Sequence, residues 1–147
     1  TGNVVDQTCE VDASQLTRTV DLGNITQGAI KAAAQNASVA SKPLVFNFTA
    51  CPASTTGAGI KFDYTTDATN TQYLENTGNG KGVLLGITDN ADTLVANDGT
   101  VNAADLDTTA GTATVNAKVQ AYRTAATDAD ITAGNIASTA TVTVVMN

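Results

Sequence analysis

The chain has 147 residues, a length that suits one domain; 42% of them are hydrophobic and only 4% aromatic, so a core must be built from Val, Leu, Ile and Ala. Seven Lys and Arg against fourteen Asp and Glu give a net charge of -7, the wrong sign for phosphate backbones or anionic lipid surfaces. The 14% of charged residues are too few for a long ion-paired helix, and the chain has no His, the commonest general base and metal ligand near neutral pH.

Period-two alternation predicts most of the elements. Short strand candidates open the chain at Asn3 to Val11 and Thr19 to Leu22. The Ala-rich stretch Gly28 to Gln35, around Ile30, predicts one or two helical turns over the mouth of a sandwich. Leu44, Phe46, Phe48 and Ala50 then share one strand face, with Val45, Asn47 and Thr49 on the other. Ile60, Phe62 and Tyr64 alternate with Lys61, Asp63 and Thr65, and Val83, Leu85 and Ile87 share a face in a strand starting at Lys81. The longest run, Thr112 to Arg123, turns Ala113, Val115, Ala117, Val119 and Ala121 inward. Its neighbours Thr114, Asn116, Lys118, Gln120 and Tyr122 face out. Last, Ala140, Val142, Val144 and Met146 point one way from a strand with no successor to pair with its outer edge. Turn signals at Thr56-Gly57, Asn76 to Gly82, Asp98-Gly99 and Ala133-Gly134-Asn135 separate these runs. Strands with one apolar and one polar face pack as two antiparallel sheets, so the fold class is all-β, with an immunoglobulin-like sandwich as the default architecture. No linker divides residues 1–147, which read as a single domain.

Chemistry is sparse in this pattern. Cys9 and Cys51 fit no short zinc or thioredoxin spacing and leave two readings, one disulfide or two buried thiols. An even count in a Thr- and Asn-rich, weakly charged chain favours the disulfide of an exported protein, worth about 4 kcal/mol by loop closure. A catalytic thiol would lack an imidazole partner. Asp89, Asn90 and Asp92 resemble the start of a calcium loop without its Gly and distal Glu. Asp105 with Asp107, and Asp128 with Asp130, read like them as solvated loops. Sequons at Asn24, Asn36 and Asn47 are frequent by chance in so Thr-rich a chain. Tyr64, Tyr73 and Tyr122 are too dispersed to mark a glycan-binding cluster. No apolar run approaches the roughly 20 residues that span a bilayer, and no signal-type segment opens the chain, so any secretory signal is expected to have been removed already.

The order of several segments resembles the chaperone–usher pilins, the subunits of Gram-negative fimbriae. Gly2 to Val11 is similar to the family's first strand with its cysteine, and Val20-Asp21-Leu22-Gly23 to the V-x-L-G segment after it. Phe46-Asn47-Phe48-Thr49-Ala50-Cys51 resembles the strand of the second cysteine, and Gly82 to Ile87 the G-V-G-I-type strand. The close is the most specific part: Ala121-Tyr122-Arg123, then Ile131 to Asn135, then Ala140-Thr141-Val142-Thr143-Val144, with Gly134 fourteenth from the end. Two features depart from the pattern. Met146 stands where the family keeps an aromatic, and Thr1 falls where the family's N-terminal donor extension is expected to have ended already.

The resemblance implies a sandwich lacking its final strand, which a donor strand supplies. It implies a Cys9–Cys51 disulfide, a donor-strand groove bordered by Val4, Ala140, Val142, Val144 and Met146, and an assembly motif at Gly134. The implied partners are neighbouring pilin subunits, a periplasmic chaperone and an outer-membrane usher, with no nucleic acid and no membrane insertion. The implied setting is a fimbria on the bacterial surface, without catalysis, metal or cofactor. Two alternatives stand beside the polymerising subunit: a minor or tip adhesin binding a host glycan or protein, and a self-contained immunoglobulin-like repeat of a surface protein.

Overall fold

The computed structural model describes residues 1–2, 8–17 and 20–146. Their strands are β1 (Glu10–Val11), β2 (Ser38–Thr49), β3 (Ala58–Tyr64), β4 (Val83–Asp89), β5 (Gly99–Asn102), β6 (Ala113–Arg123) and β7 (Ala140–Met146). Two short helices, α1 (Ala13–Leu16) and α2 (Gln27–Ala32), lie between β1 and β2. The strands form a four-stranded sheet, in the order β1-β2-β6-β4, and a three-stranded sheet, in the order β5-β3-β7. All pairings are antiparallel, as the alternating patterns require.

The core lies between the sheets. Leu44, Phe46 and Phe48 from β2 and Val115 and Ala117 from β6 meet Ile60 and Phe62 from β3, which are fully buried. Phe46 and Phe62 touch edge to face across the interface, their centroids 6.1 Å apart. The disulfide between Cys9 and Cys51 fastens the chain ahead of β1 to the chain after β2.

Several sequence expectations need correction. Val20 to Leu22 forms no strand; Asp21 accepts the Gly23 N–H at 2.8 Å, closing an Asx turn that Gly23 completes with φ 73°. Residues 3–7 and 19 of the two opening candidates lie outside the described residues, leaving only Glu10–Val11 as strand. The Asp98-Gly99 signal is a turn that leads straight into the unforeseen β5. Gln120 and Tyr122 do not face solvent. The connections 65–82 and 90–98 fold over the outer face of β4 and β6, so Tyr73, Leu84 and Tyr122 form a second small core with Leu94 beside it. Tyr73 and Tyr122, far apart in sequence, have ring centroids 5.2 Å apart. Gln120 donates to Thr88 Oγ1 (3.0 Å) and to Asp92 Oδ1 (2.8 Å), and Lys118 reaches the same oxygen at 2.7 Å. The Lys118 and Gln120 donors hold the Asp92 carboxyl below its ordinary range, so this support is present at neutral pH and fades as acid protonates Asp92.

Ala50 is also displaced from its expected inward face. It is exposed, follows the last residue of β2 and has φ 51°, so the chain can turn toward Cys51, whose N–H donates to Gly111 O at 2.9 Å. An alanine in that left-handed region pays a Cβ penalty that glycine avoids. Ala50→Gly is expected to raise stability by about 1 kcal/mol, read from the denaturant midpoint at unchanged m-value.

Candidate functional site

β7 pairs with β3 along its whole length: Ala140 lies opposite Tyr64, Val142 opposite Phe62, Val144 opposite Ile60 and Met146 opposite Ala58. Its even-numbered side chains therefore share the inner face with the most buried residues of β3. Thr141, Thr143 and Val145 take the outer face, where Lys61 lies 3.6 Å from Asp63 and 3.4 Å from Asp98. Those carboxylates, Asp98 foremost, raise the Lys61 pKa and keep it charged. Along its other edge β7 pairs with no strand among the described residues.

Two cavities, one of them bordered by β7, share Val20 and Leu85 in their linings. One, of about 360 Å³, has Ala140 and Val142 on its wall and a floor drawn from both sheets: Leu44 and Phe46 of β2, Phe62 of β3, Ile87 of β4 and Val119 of β6. The other, of about 380 Å³, lies between Thr132–Ile136 and Val20–Ile25, over Ile30, Val83 and Ala121. Together they make an apolar groove with a polar rim carrying Asp21 and Lys81.

The expected groove residues divide. Ala140 and Val142 border the groove, although Ala140 itself is exposed. Val144 and Met146 line neither cavity; like Val142 they are half-buried and pack against the main core. Val4 lies outside the described residues. Gly134 lines the second cavity, and its reason for being glycine is close approach: a Cβ there would stand 2.4 Å from Gly80 N and 2.6 Å from Asn79 Oδ1. The floor residues escape sequence reasoning because four strands distant in the chain contribute them. One signal was present, since each sits on the inward face of an alternating run.

Carboxylates elsewhere serve the fold. Asp107 accepts the N–H groups of Thr109 and Ala110, Asp89 those of Ala91 and Thr93, and Asp105 that of Thr114. Among the described residues no group of three or more Cys, Asp or Glu is placed to hold a metal ion, and no helix is long and apolar enough to cross a membrane.

A family model described as Fimbrial protein matches residues 1–147. No curated protein matches the chain. Among solved structures it is similar to a chain of a chaperone–usher pilus, in a structure described as revealing the molecular basis of rod uncoiling. The TM-score is 0.76 at 15% identity, covering 100% of this chain and 92% of that one. It is also similar to the P pilus rod subunit PapA, with a TM-score of 0.73 at 15% identity over 96% of this chain and 100% of that one. The CupB6 tip adhesin from Pseudomonas aeruginosa matches with a TM-score of 0.72 at 15% identity, over 95% of this chain and 38% of that one. At such identities the likeness is one of fold: an immunoglobulin-like sandwich of two antiparallel sheets. With a family model matched from its first residue to its last, the chain belongs to the Fimbrial protein family.

Proposed function

We propose that this protein is a non-catalytic structural subunit of a surface fimbria. It polymerises by accepting a β-strand into the groove beside β7, first from a periplasmic chaperone on the way to an outer-membrane usher and then from a neighbouring subunit. In this reading residues 1–147 are one pilin domain that receives its last strand from outside. The observation that carries it is one-sided pairing: β7 is fully paired to β3, while its other edge borders an apolar groove with Phe46 and Phe62 on its floor. An unpaired edge beside uncovered apolar area is costly in hydrogen bonding and hydration, and an added strand repairs both. Strand addition at an exposed sheet edge is a general recognition mode, of which pilin complementation is a standing example. Burying three to five apolar side chains in such a groove contributes roughly 5–15 kcal/mol gross, before ordering costs.

A synthetic peptide alternating Val with Thr and Lys, long enough to run beside residues 134–146, tests this reading. Its lysines suit the acidic chain. At a concentration 100 times its Kd it is expected to stabilise the fold by about 2.7 kcal/mol, seen as a higher thermal midpoint. A scrambled peptide of the same composition is expected to do nothing. Equal midpoints with both peptides would overturn the proposal.

A further inference from the structure

The segment 134–138, which lies ahead of β7 and belongs to no sheet, is held by the loop between β3 and β4. Asn135 donates its N–H to Asn79 Oδ1 (2.8 Å), and its carbonyl accepts from Gly80 N (3.0 Å). Two residues on, Ala137 donates to Asn76 Oδ1 (3.0 Å) and accepts from Thr77 N (2.8 Å). Asn76 also closes the loop on itself, accepting from Gly78 N and donating to Gly80 O, both at 2.8 Å. The contact is so close that a Cβ on Gly78 would stand 1.9 Å from Asn135 O. Two asparagine side chains thus stand in for the carbonyls of a partner strand.

The other backbone side of the segment is free. In an extended chain, residues i and i+2 direct their backbone groups to the same side. With Asn135 and Ala137 spent on the loop, Gly134, Ile136 and Ser138 direct theirs the opposite way, and among the described residues those groups have no hydrogen-bond partner. Gly134 and Ile136 line one cavity of the groove and Ser138 the other. The free edge of β7 thereby continues back to Gly134.

We propose that Asn79, supported by Asn76, is a positioning residue: it splints residues 134–138 in extended form and so lengthens the edge that an incoming strand can pair with beyond β7. The inference rests on the strand-acceptor reading above. Its chemistry is specific, because an acceptor oxygen at position 79 is what the Asn135 N–H needs. Asn79→Leu removes that acceptor at similar volume, whereas Asn79→Asp keeps it.

The test compares two peptides by fluorescence anisotropy: the long alternating peptide described above, and a shortened one that reaches only Ala140–Met146. For the long peptide, Asn79→Leu is expected to raise Kd roughly tenfold, the equivalent of one or two lost hydrogen bonds. Asn79→Asp is expected to restore wild-type affinity, and the short peptide is expected to bind all three proteins alike. A merely structural role for the loop would weaken both peptides together. That outcome, or no change with either peptide, would overturn the positioning role while leaving the groove reading intact. Failure of the wild-type protein to bind either peptide would overturn the groove reading, and the positioning role with it.

Discussion

Val142→Asp is expected to abolish strand capture, while Thr143→Asp is expected to leave it nearly intact. Val142 sits opposite Phe62 on the inner face of β7 and borders the groove, so a captured strand would bury its side chain completely. Among the described residues the groove floor offers a carboxylate there no cation to pair with, and burying it unpaired costs on the order of 3–5 kcal/mol. That corresponds to a loss of at least about 100-fold in affinity. Thr143 is exposed and lies opposite Lys61, so an aspartate in its place gains a neighbouring ammonium in solvent. The measurements are incorporation of each variant into fibres and the Kd of the long alternating peptide. Equal behaviour of the two variants would refute the assignment of faces.

Arg123→Met is expected to cost about 2–4 kcal/mol of stability. Arg123 is 7% exposed, and its guanidinium donates to Ala125 O, Ile30 O, Lys31 O, Ala33 O and Asp128 Oδ1 at 2.8–3.3 Å. Three of these carbonyls lie at or just past the C-terminal end of α2, a helix end that favours a cation; Ile30 O accepts from the Ala33 N–H as well. The side chain thus staples α2, and with it Ile30 at the end of the groove, to β6. Arg123→Lys is expected to recover little, because one ammonium cannot reproduce a fork aimed at both Ala125 and the helix end. Asp128→Ala is expected to cost far less, since that carboxylate is 60% exposed. Urea unfolding of the disulfide-intact protein separates these outcomes.

Where one strand face meets the core and the other meets water, the alternation is plain in the residues. β3 and the inner face of β6 are read directly from Ile60-x-Phe62-x-Tyr64 and from Ala113 through Ala121. The same logic fails where a distant segment covers the second face. Nothing local marks Gln120 and Tyr122 as buried, because Tyr73, Leu94 and Asp92 reach them from connections outside the strand. β5 is only Gly99–Asn102, too short to show a period, and its glycine reads as punctuation. The inner face of β7 was legible as the run Ala140 to Met146, but alternation alone could not separate Ala140 and Val142, which line a cavity, from Val144, which packs against the core without lining one. Asn76 and Asn79 looked like ordinary turn residues; their hydrogen bonds to Ala137 and Asn135 depend on a pairing that only the tertiary fold creates.

The pairing of β2 with β6 has a kinetic consequence. Phe48 meets Ala113 and Ser38 meets Tyr122, so the largest ladder of the molecule joins segments with β3, β4 and β5 between them in the chain. Such a ladder cannot nucleate locally, and its loop-closure entropy must be met before any contact in it is rewarded. Folding dominated by pairings of this range runs on a scale of milliseconds to seconds. For that interval Leu44, Phe46 and Phe48 stand uncovered on an unpaired strand. The newly made chain is therefore most vulnerable to self-association before its central ladder has closed.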